Sequence, residues 1–160
     1  MSNSRESTGP IVEQLEARAY SRATELPIRV KEAILNIFPD DIREYVVISE
    51  ESVEGYQGIP ILIITGSLPS KQQAEQTVTH LFQQLSSGDL DYLQKSIDQR
   101  IDDDCTLFLR IDKQAAYLKR IEMTMNADVI QLQISIRSWP RCSLSEAKNL
   151  IQQLISLAGK

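Results

Sequence analysis

Cationic and hydrogen-bonding side chains concentrate near the end of this sequence, mostly within residues 107–120. Arginine and lysine bind phosphates through their charge, a glutamine amide can hydrogen-bond a sugar or a base, and a tyrosine ring can stack on a base. This combination predicts a surface for RNA. Its candidate residues are Arg110, Lys113, Gln114, Tyr117, Lys119, Arg120 and, further along, Arg137.

The chain as a whole is acidic, with a net charge of −5, but its charges are unevenly divided. Residues 1–104 contain 9 Lys/Arg and 18 Asp/Glu, whereas residues 105–160 contain 8 Lys/Arg and 4 Asp/Glu. The first part would repel a polyanion and the second would attract one. Two alternatives stay open at this level. The two parts can interleave on the folded surface, and Asp112 can neutralise Arg110 in a surface ion pair.

Little in the sequence supports catalysis or metal binding. The only histidine, His80, falls in a predicted helix, and Asp102–Asp104 are typical of a solvated turn because successive strand residues point to opposite faces. Cys105 and Cys142 have no partners at metal-ligand spacing. We therefore predict that the protein is not an enzyme and that it has no metal and no cofactor. A cytoplasmic pair of cysteines predicts two free thiols, and a disulfide is the alternative if the source is a hyperthermophile.

Length and composition predict one domain over residues 10–160, preceded by a flexible N-terminal tail over residues 1–9. No apolar run approaches the roughly 18 residues of a transmembrane helix. The polar start of the chain lacks the apolar core of a secretory signal. These features predict a cytoplasmic protein without membrane contact.

Hydrophobic periodicity predicts the element order β-α-β-β-α-α-β-β-β-α. Because several strands follow one another directly, this order predicts an α+β fold, a largely antiparallel (mixed) β-sheet with helices packed on one face. The predicted strands cover residues 11–22, 45–48, 59–68, 101–111, 117–125 and 130–137. Polar positions of these strands would line the open face, where Arg110, Arg137 and their cationic neighbours are expected to converge.

Local signals predict where the helices begin and end. Thr24 is expected to cap the first helix, Pro27 to lie in its first turn, and Pro39 to stop it. Ser70 and Ser143 each begin a capping box. Gly88 is expected to close the helix that Ser70 begins, a short helix is expected over residues 90–97, and the acidic residues 50–58 are expected to form a loop.

The stretch Leu109–Tyr117 resembles a signature of the archaeal RNA-binding family of predicted exosome-subunit-like proteins. Residues 19–40 are similar to that family's first strand and helix, and residues 55–61 to its glycine-containing loop. The resemblance implies a ribosomal-protein-like α+β fold and non-catalytic RNA binding, in RNA processing or ribosome biogenesis. It also implies a glycine at the position that Lys119 occupies here, and a histidine that the loop Glu54–Gly58 lacks.

The hypothesis from sequence is thus a non-catalytic RNA-binding protein that contacts the RNA backbone. The alternative is a protein-interaction or assembly module without direct RNA contact. In that case the same surface would dock on an acidic protein of an RNA-processing complex, or would join two copies of the chain in a homodimer.

Overall fold

A computed structural model of the chain describes residues 9–159. Within this range five strands and six helices follow one another in the order β-α-β-β-α-α-α-β-α-β-α. The strands are β1 (Ile11–Ser21), β2 (Val47–Glu54), β3 (Pro60–Leu68), β4 (Thr106–Asp112) and β5 (Val129–Arg137). The helices are α1 (Pro27–Leu35), α2 (Lys71–Gln84), α3 (Ser87–Lys95), α4 (Ile97–Arg100), α5 (Lys113–Tyr117) and α6 (Leu144–Ala158). The predicted tail lies outside the described residues except for Gly9.

The strands form one sheet in the order β2-β3-β1-β5-β4, and every neighbouring pair is antiparallel. The α+β prediction is therefore confirmed, with an antiparallel rather than a mixed sheet. Along β5 the residues from Ile130 to Ile136 alternate between buried apolar and half-buried polar side chains, as a strand with one covered face requires. No helix over residues 9–159 is long and apolar enough to cross a membrane.

Small residues of the sheet let the helices approach it closely. On the central strand β1 the covered face presents Ala17 and Ala19, and α1 and α2 both contact this strand. At Gly66 of β3, an added Cβ would lie 2.9 Å from Cγ2 of Ile34 in α1. Since real Cβ atoms essentially never come so close, glycine at this position fixes how near α1 lies to the sheet.

The uncovered face carries polar and cationic residues in register. Arg18 of β1 pairs with Gln131 of β5, and Gln131 pairs with Arg110 of β4. These three side chains therefore form one row across the open face, with the two arginines on alternate strands.

The strand predicted over residues 117–125 is wrong. In its place Asp112 ends β4 and caps α5, because its Oδ1 accepts the backbone N–H of Ala115 at 2.8 Å. Alanine favours helix, and the Ala115-Ala116 pair continues this short turn of helix. Only a single bridge between Ile111 and Met123 remains of the predicted hairpin within the described residues.

The acidic loop predicted over residues 50–58 is also largely wrong. Strand β2 continues through this segment to Glu54, which pairs with Pro60 of β3. As an edge strand it is mostly exposed, so its glutamates stay in water and discourage pairing with other chains. The exposure removes the apolar alternation by which strands are recognised.

Several predicted boundaries are corrected and others are confirmed. Leu26 rather than Thr24 precedes α1, and no side chain caps this helix, which ends at Leu35 before reaching Pro39. Gly88 lies inside α3, since α2 ends at Gln84. Pro27 lies in the first turn of α1, and Ser70 and Ser143 accept the backbone N–H groups of Gln73 and Glu146 as expected.

The prediction of two free thiols is wrong, because Cys105 and Cys142 form a disulfide. The bridge joins the start of β4 to the segment between β5 and α6, and its Cα atoms lie 5.9 Å apart. Beside it, Asp102–Asp104 form the expected turn, in which Oδ1 of Asp102 accepts the N–H groups of Asp104 and Thr106.

Candidate nucleic-acid interface

Helix α5 carries the candidate residues Lys113, Gln114 and Tyr117, and contacts with α1 hold it in place. Asn36, just beyond the last residue of α1, is buried, and its Nδ2 donates to the carbonyl oxygens of Ala116 at 2.9 Å and Tyr117 at 3.3 Å. Carbonyl groups at the C-terminal end of a helix lack the hydrogen bonds of the helix interior, and Asn36 supplies donors to two of them. Asn36 thus fixes the orientation of α5 relative to α1.

Lys113 is a buried cation rather than a surface one. Its side chain is 3% exposed, and Nζ lies 2.8 Å from Oε2 of Glu25 and 2.8 Å from Oδ1 of Asp128. Nζ also donates to the carbonyl oxygen of Tyr20 at 2.8 Å, at the end of β1. We call this group the Lys113 cluster. All three donors of the ammonium have acceptors, so contact with a phosphate would require Lys113 to leave two carboxylates.

The Lys113 cluster changes the acidity of Asp128. Partial burial alone would raise the pKa of Asp128, but hydrogen bonds from Lys113 and Gln114 and the positive charges of Lys113 and Arg22 lower it. The net effect is a pKa below the ordinary 3.8. Asp128 is therefore ionised at neutral pH, as its bond to Lys113 requires.

A cleft of about 370 Å³ lies between the N-terminal part of α1 and α5. Its lining combines apolar side chains with polar ones from both helices, among them Leu26, Arg29, Val30, Gln114 and Tyr117. Small-ligand sites have volumes of roughly 300–1,000 Å³, so the cleft is of a size for one small group rather than for a duplex.

The cleft holds a stacked cation. The guanidinium carbon of Arg29 lies 5.8 Å from the centre of the Tyr117 ring, which is within the range of a cation–π contact. Arg29 is exposed, and it has no carboxylate within salt-bridge distance among residues 9–159. Its charge is therefore available to a ligand.

Lys119 lies just beyond α5, in a backbone conformation that favours glycine. Its φ is 68°, its N–H donates to the carbonyl of Ala116 at 2.9 Å, and the N–H of Arg120 donates to that of Ala115 at 2.8 Å. These two bonds define a Schellman motif with Lys119 at the left-handed position. The left-handed conformation explains the glycine that the family resemblance implies at this position. The ammonium of Lys119 is exposed, and no carboxylate of the described residues pairs with it.

Of the predicted residues, only Lys113, Gln114 and Tyr117 line the cleft. Arg120 pairs with Glu122, and Nη2 of Arg110 donates to the carbonyl of Asn126 at 2.6 Å on the open face of the sheet. Arg137 pairs with Glu13 at 2.7 Å. Gln131 is the partner of Arg110 in the sheet, and Arg137 lies six residues further along β5. At the rise of a β-strand, Arg137 is therefore about 20 Å from the position of Arg110 along the sheet.

Sequence reasoning missed Arg29 and Asn36. Both occur in the predicted first helix, where a polar residue ordinarily faces solvent. No local signal identifies their partners, because Asn36 bonds a residue 80 positions away. Asp112 is a typical helix-capping residue, and this local signal could have located α5.

A family model described as RNA binding matches residues 14–136 of the chain. An RNA-binding protein of Pyrococcus abyssi is 32% identical over 130 residues, which are 79% of this chain and 82% of that protein. The crystal structure of a protein from Archaeoglobus fulgidus has a TM-score of 0.77 at 24% identity, covering 89% of this chain and 99% of that one, and shows the shared fold. A DUF54 protein from Methanothermobacter thermautotrophicus has a TM-score of 0.73 at 27% identity, covering 91% of this chain and 98% of that one.

Proposed function

Because the chain belongs to the RNA-binding family whose model matches residues 14–136, we propose that it binds single-stranded RNA in the cleft between α1 and α5. The observation that carries this proposal is Arg29, which lies over the Tyr117 ring and has no carboxylate partner among the described residues. Unstacked bases are commonly recognised by stacking on aromatic rings or arginine planes together with hydrogen bonds to their edges.

The side chains at the cleft, and Lys119 just beyond α5, have distinct proposed roles. The outer plane of Arg29 stacks on a base, the exposed amide of Gln114 hydrogen-bonds its edge, and Lys119 binds a neighbouring phosphate. Tyr117 supports Arg29 from below. Lys113 positions α5 through the Lys113 cluster and does not touch RNA.

We propose that this role is binding without catalysis. His80, the only histidine, lines a different depression, with Gln76 and Gln83 of α2. Among residues 9–159, no group of three or more His, Cys, Asp or Glu side chains could hold a metal ion. From the family resemblance of residues 109–117 we also propose a role in RNA processing or ribosome biogenesis.

The experiment is fluorescence anisotropy with a labelled single-stranded RNA of roughly 16 nucleotides, at several salt concentrations. Arg29→Gln should weaken binding by about 1–3 kcal/mol, the effect of losing one stacked base. In a plot of the logarithm of the binding constant against the logarithm of the salt concentration, Lys119→Gln should make the negative slope shallower by about 0.7. This is the contribution of one phosphate contact on a single strand. The matched control is Arg137→Gln, which also removes an arginine stacked on an aromatic ring but lies at the other end of the sheet.

Two results would contradict the proposal. If Arg29→Gln and Arg137→Gln weakened RNA binding equally, the cleft would not be the binding surface. Absence of binding to single-stranded and structured RNA alike would remove the function itself.

A second candidate function is protein docking at the same end of the molecule. Leu26, Ile28 and Leu118 are 56%, 67% and 61% exposed, and such apolar side chains are common in protein interfaces. Retention of one protein on the immobilised chain after nuclease treatment, lost in Ile28→Ser, would favour this function over RNA binding.

A further inference from the structure

A second depression, of about 240 Å³, lies on the open face of the sheet near the end of β1. Its lining includes Arg18, Tyr20 and Arg22 from the β1 segment, Arg110 from β4 and Gln131 from β5. Three arginines and one tyrosine therefore line the same depression, and Tyr20 is 49% exposed. A cationic groove with an exposed aromatic side chain is the usual composition of a single-strand binding surface.

The three arginines of this depression are only weakly engaged. Arg110 donates to the carbonyl oxygen of Asn126 and not to a carboxylate. Arg18 lies 3.2 Å from Glu16 and Arg22 lies 3.3 Å from Asp128, in pairs whose side chains are partly exposed. Exposed pairs of this kind contribute little, so a phosphate can replace the carboxylate at small cost.

The Lys113 cluster forms a wall shared by the cleft and this depression. Glu25 and Lys113 line the cleft, whereas Asp128 and Arg22 line the depression. Lys113 bonds both carboxylates, and the backbone N–H of Arg22 donates to Oε1 of Glu25 at 3.0 Å. One layer of side chains therefore separates the two depressions.

We infer that a single strand of RNA continues from the cleft across the Lys113 cluster onto the open face of the sheet. There Arg18, Arg22 and Arg110 bind its phosphates and Tyr20 stacks on one of its bases. This inference rests on the proposed function, since it extends the strand that the cleft holds. A single strand suits the path because its backbone can bend over the edge of the sheet, which a duplex cannot do as readily.

RNA length distinguishes the two contacts. An RNA of roughly 4 nucleotides should occupy the cleft alone, and one of roughly 16 nucleotides should reach both surfaces. The double variant Arg18→Gln/Arg110→Gln should weaken binding of the longer RNA at least tenfold and leave that of the shorter RNA within twofold of the wild type. For the longer RNA, the salt dependence of the double variant's binding constant should be shallower by about 1.4 in log–log slope, as expected for two lost phosphate contacts.

The control variant is Lys71→Gln, which removes an exposed cation from the start of α2 and should change neither affinity. A photoactivatable thiouridine in the longer RNA provides a readout on the unaltered protein, which does not depend on the folding of any variant. Crosslinks to the peptide containing residues 18–22 are expected.

Unchanged binding of the longer RNA by the double variant, with no crosslink to residues 18–22, would overturn the inference. If Arg29→Gln still weakened both RNAs, the proposed function would stand without the extension. If the wild type bound neither RNA, the proposed function would fail, and the extension with it.

Discussion

The two ends of the molecule each place an arginine over an aromatic ring, but only one of these arginines lacks a carboxylate partner among residues 9–159. At the cleft, Arg29 lies 5.8 Å from the centre of Tyr117 and has no carboxylate partner among residues 9–159. At the other end, Arg137 lies 5.0 Å from the centre of Trp139 and is paired with Glu13 at 2.7 Å. The two arginines thus differ in their ionic partners, which a count of charges along the sequence does not reveal.

The two ends are also held together by different means. The cleft end depends on the Lys113 cluster, which joins α5, the end of β1 and the segment before β5 through one ammonium. The Trp139 end depends on the Cys105–Cys142 disulfide, which closes a loop with a sequence separation of 37 residues. The comparison can therefore be tested by removing the Lys113 ammonium at one end and the disulfide at the other.

The largest effect is expected from Lys113→Met. The change leaves Glu25 and Asp128 without their shared cation, so the free energy of unfolding should fall by about 3–5 kcal/mol. RNA affinity should fall as well, because α5 loses its tie to β1. Urea denaturation and anisotropy measure the two quantities, and a loss of stability below about 1 kcal/mol would contradict a buried role for this lysine.

Reduction of the disulfide is the matched control at the other end. For a loop of this length, the lost constraint on the unfolded chain should lower the free energy of unfolding by about 4 kcal/mol. RNA affinity, measured where the reduced protein is still folded, should stay within twofold. An equal loss of affinity on reduction would erase the distinction between the two ends.

A smaller effect of opposite sign on stability is expected from Lys119→Gly. Glycine relieves the cost of the left-handed conformation, so the free energy of unfolding should rise by about 1 kcal/mol, while loss of the ammonium weakens RNA binding. Lys119→Ala is the matched control, which loses the same charge but keeps the strained backbone. If both variants bound RNA as tightly as the wild type, Lys119 would have no part in the interface.

The fold was predictable from sequence where burial imposes a pattern. The alternation from Ile130 to Ile136 and the serine caps at Ser70 and Ser143 each depend on neighbouring residues, and the structure confirms them. Strand β2 escaped prediction because an exposed edge strand needs no apolar alternation. Helix α5 escaped because its five residues are too short to show a helical period.

The candidate site was predictable only in part, and for a similar reason. Lys113, Gln114 and Tyr117 line one cleft because they share one short helix. The neutralisation of Lys113 depends on Glu25, 88 residues earlier, and the role of Arg29 depends on a ring supplied by α5. Such pairings arise from tertiary packing, which composition and charge counts do not contain.

The most direct test of the account is a titration of isotopically labelled protein with single-stranded RNA, followed by amide chemical shifts in NMR spectra. We expect the largest shifts around the cleft, at residues 24–33 and 113–120, and small shifts around Arg137 and Trp139. Largest shifts at residues 137–142, with the cleft unperturbed, would contradict the claim that the unpaired arginine marks the RNA-binding end.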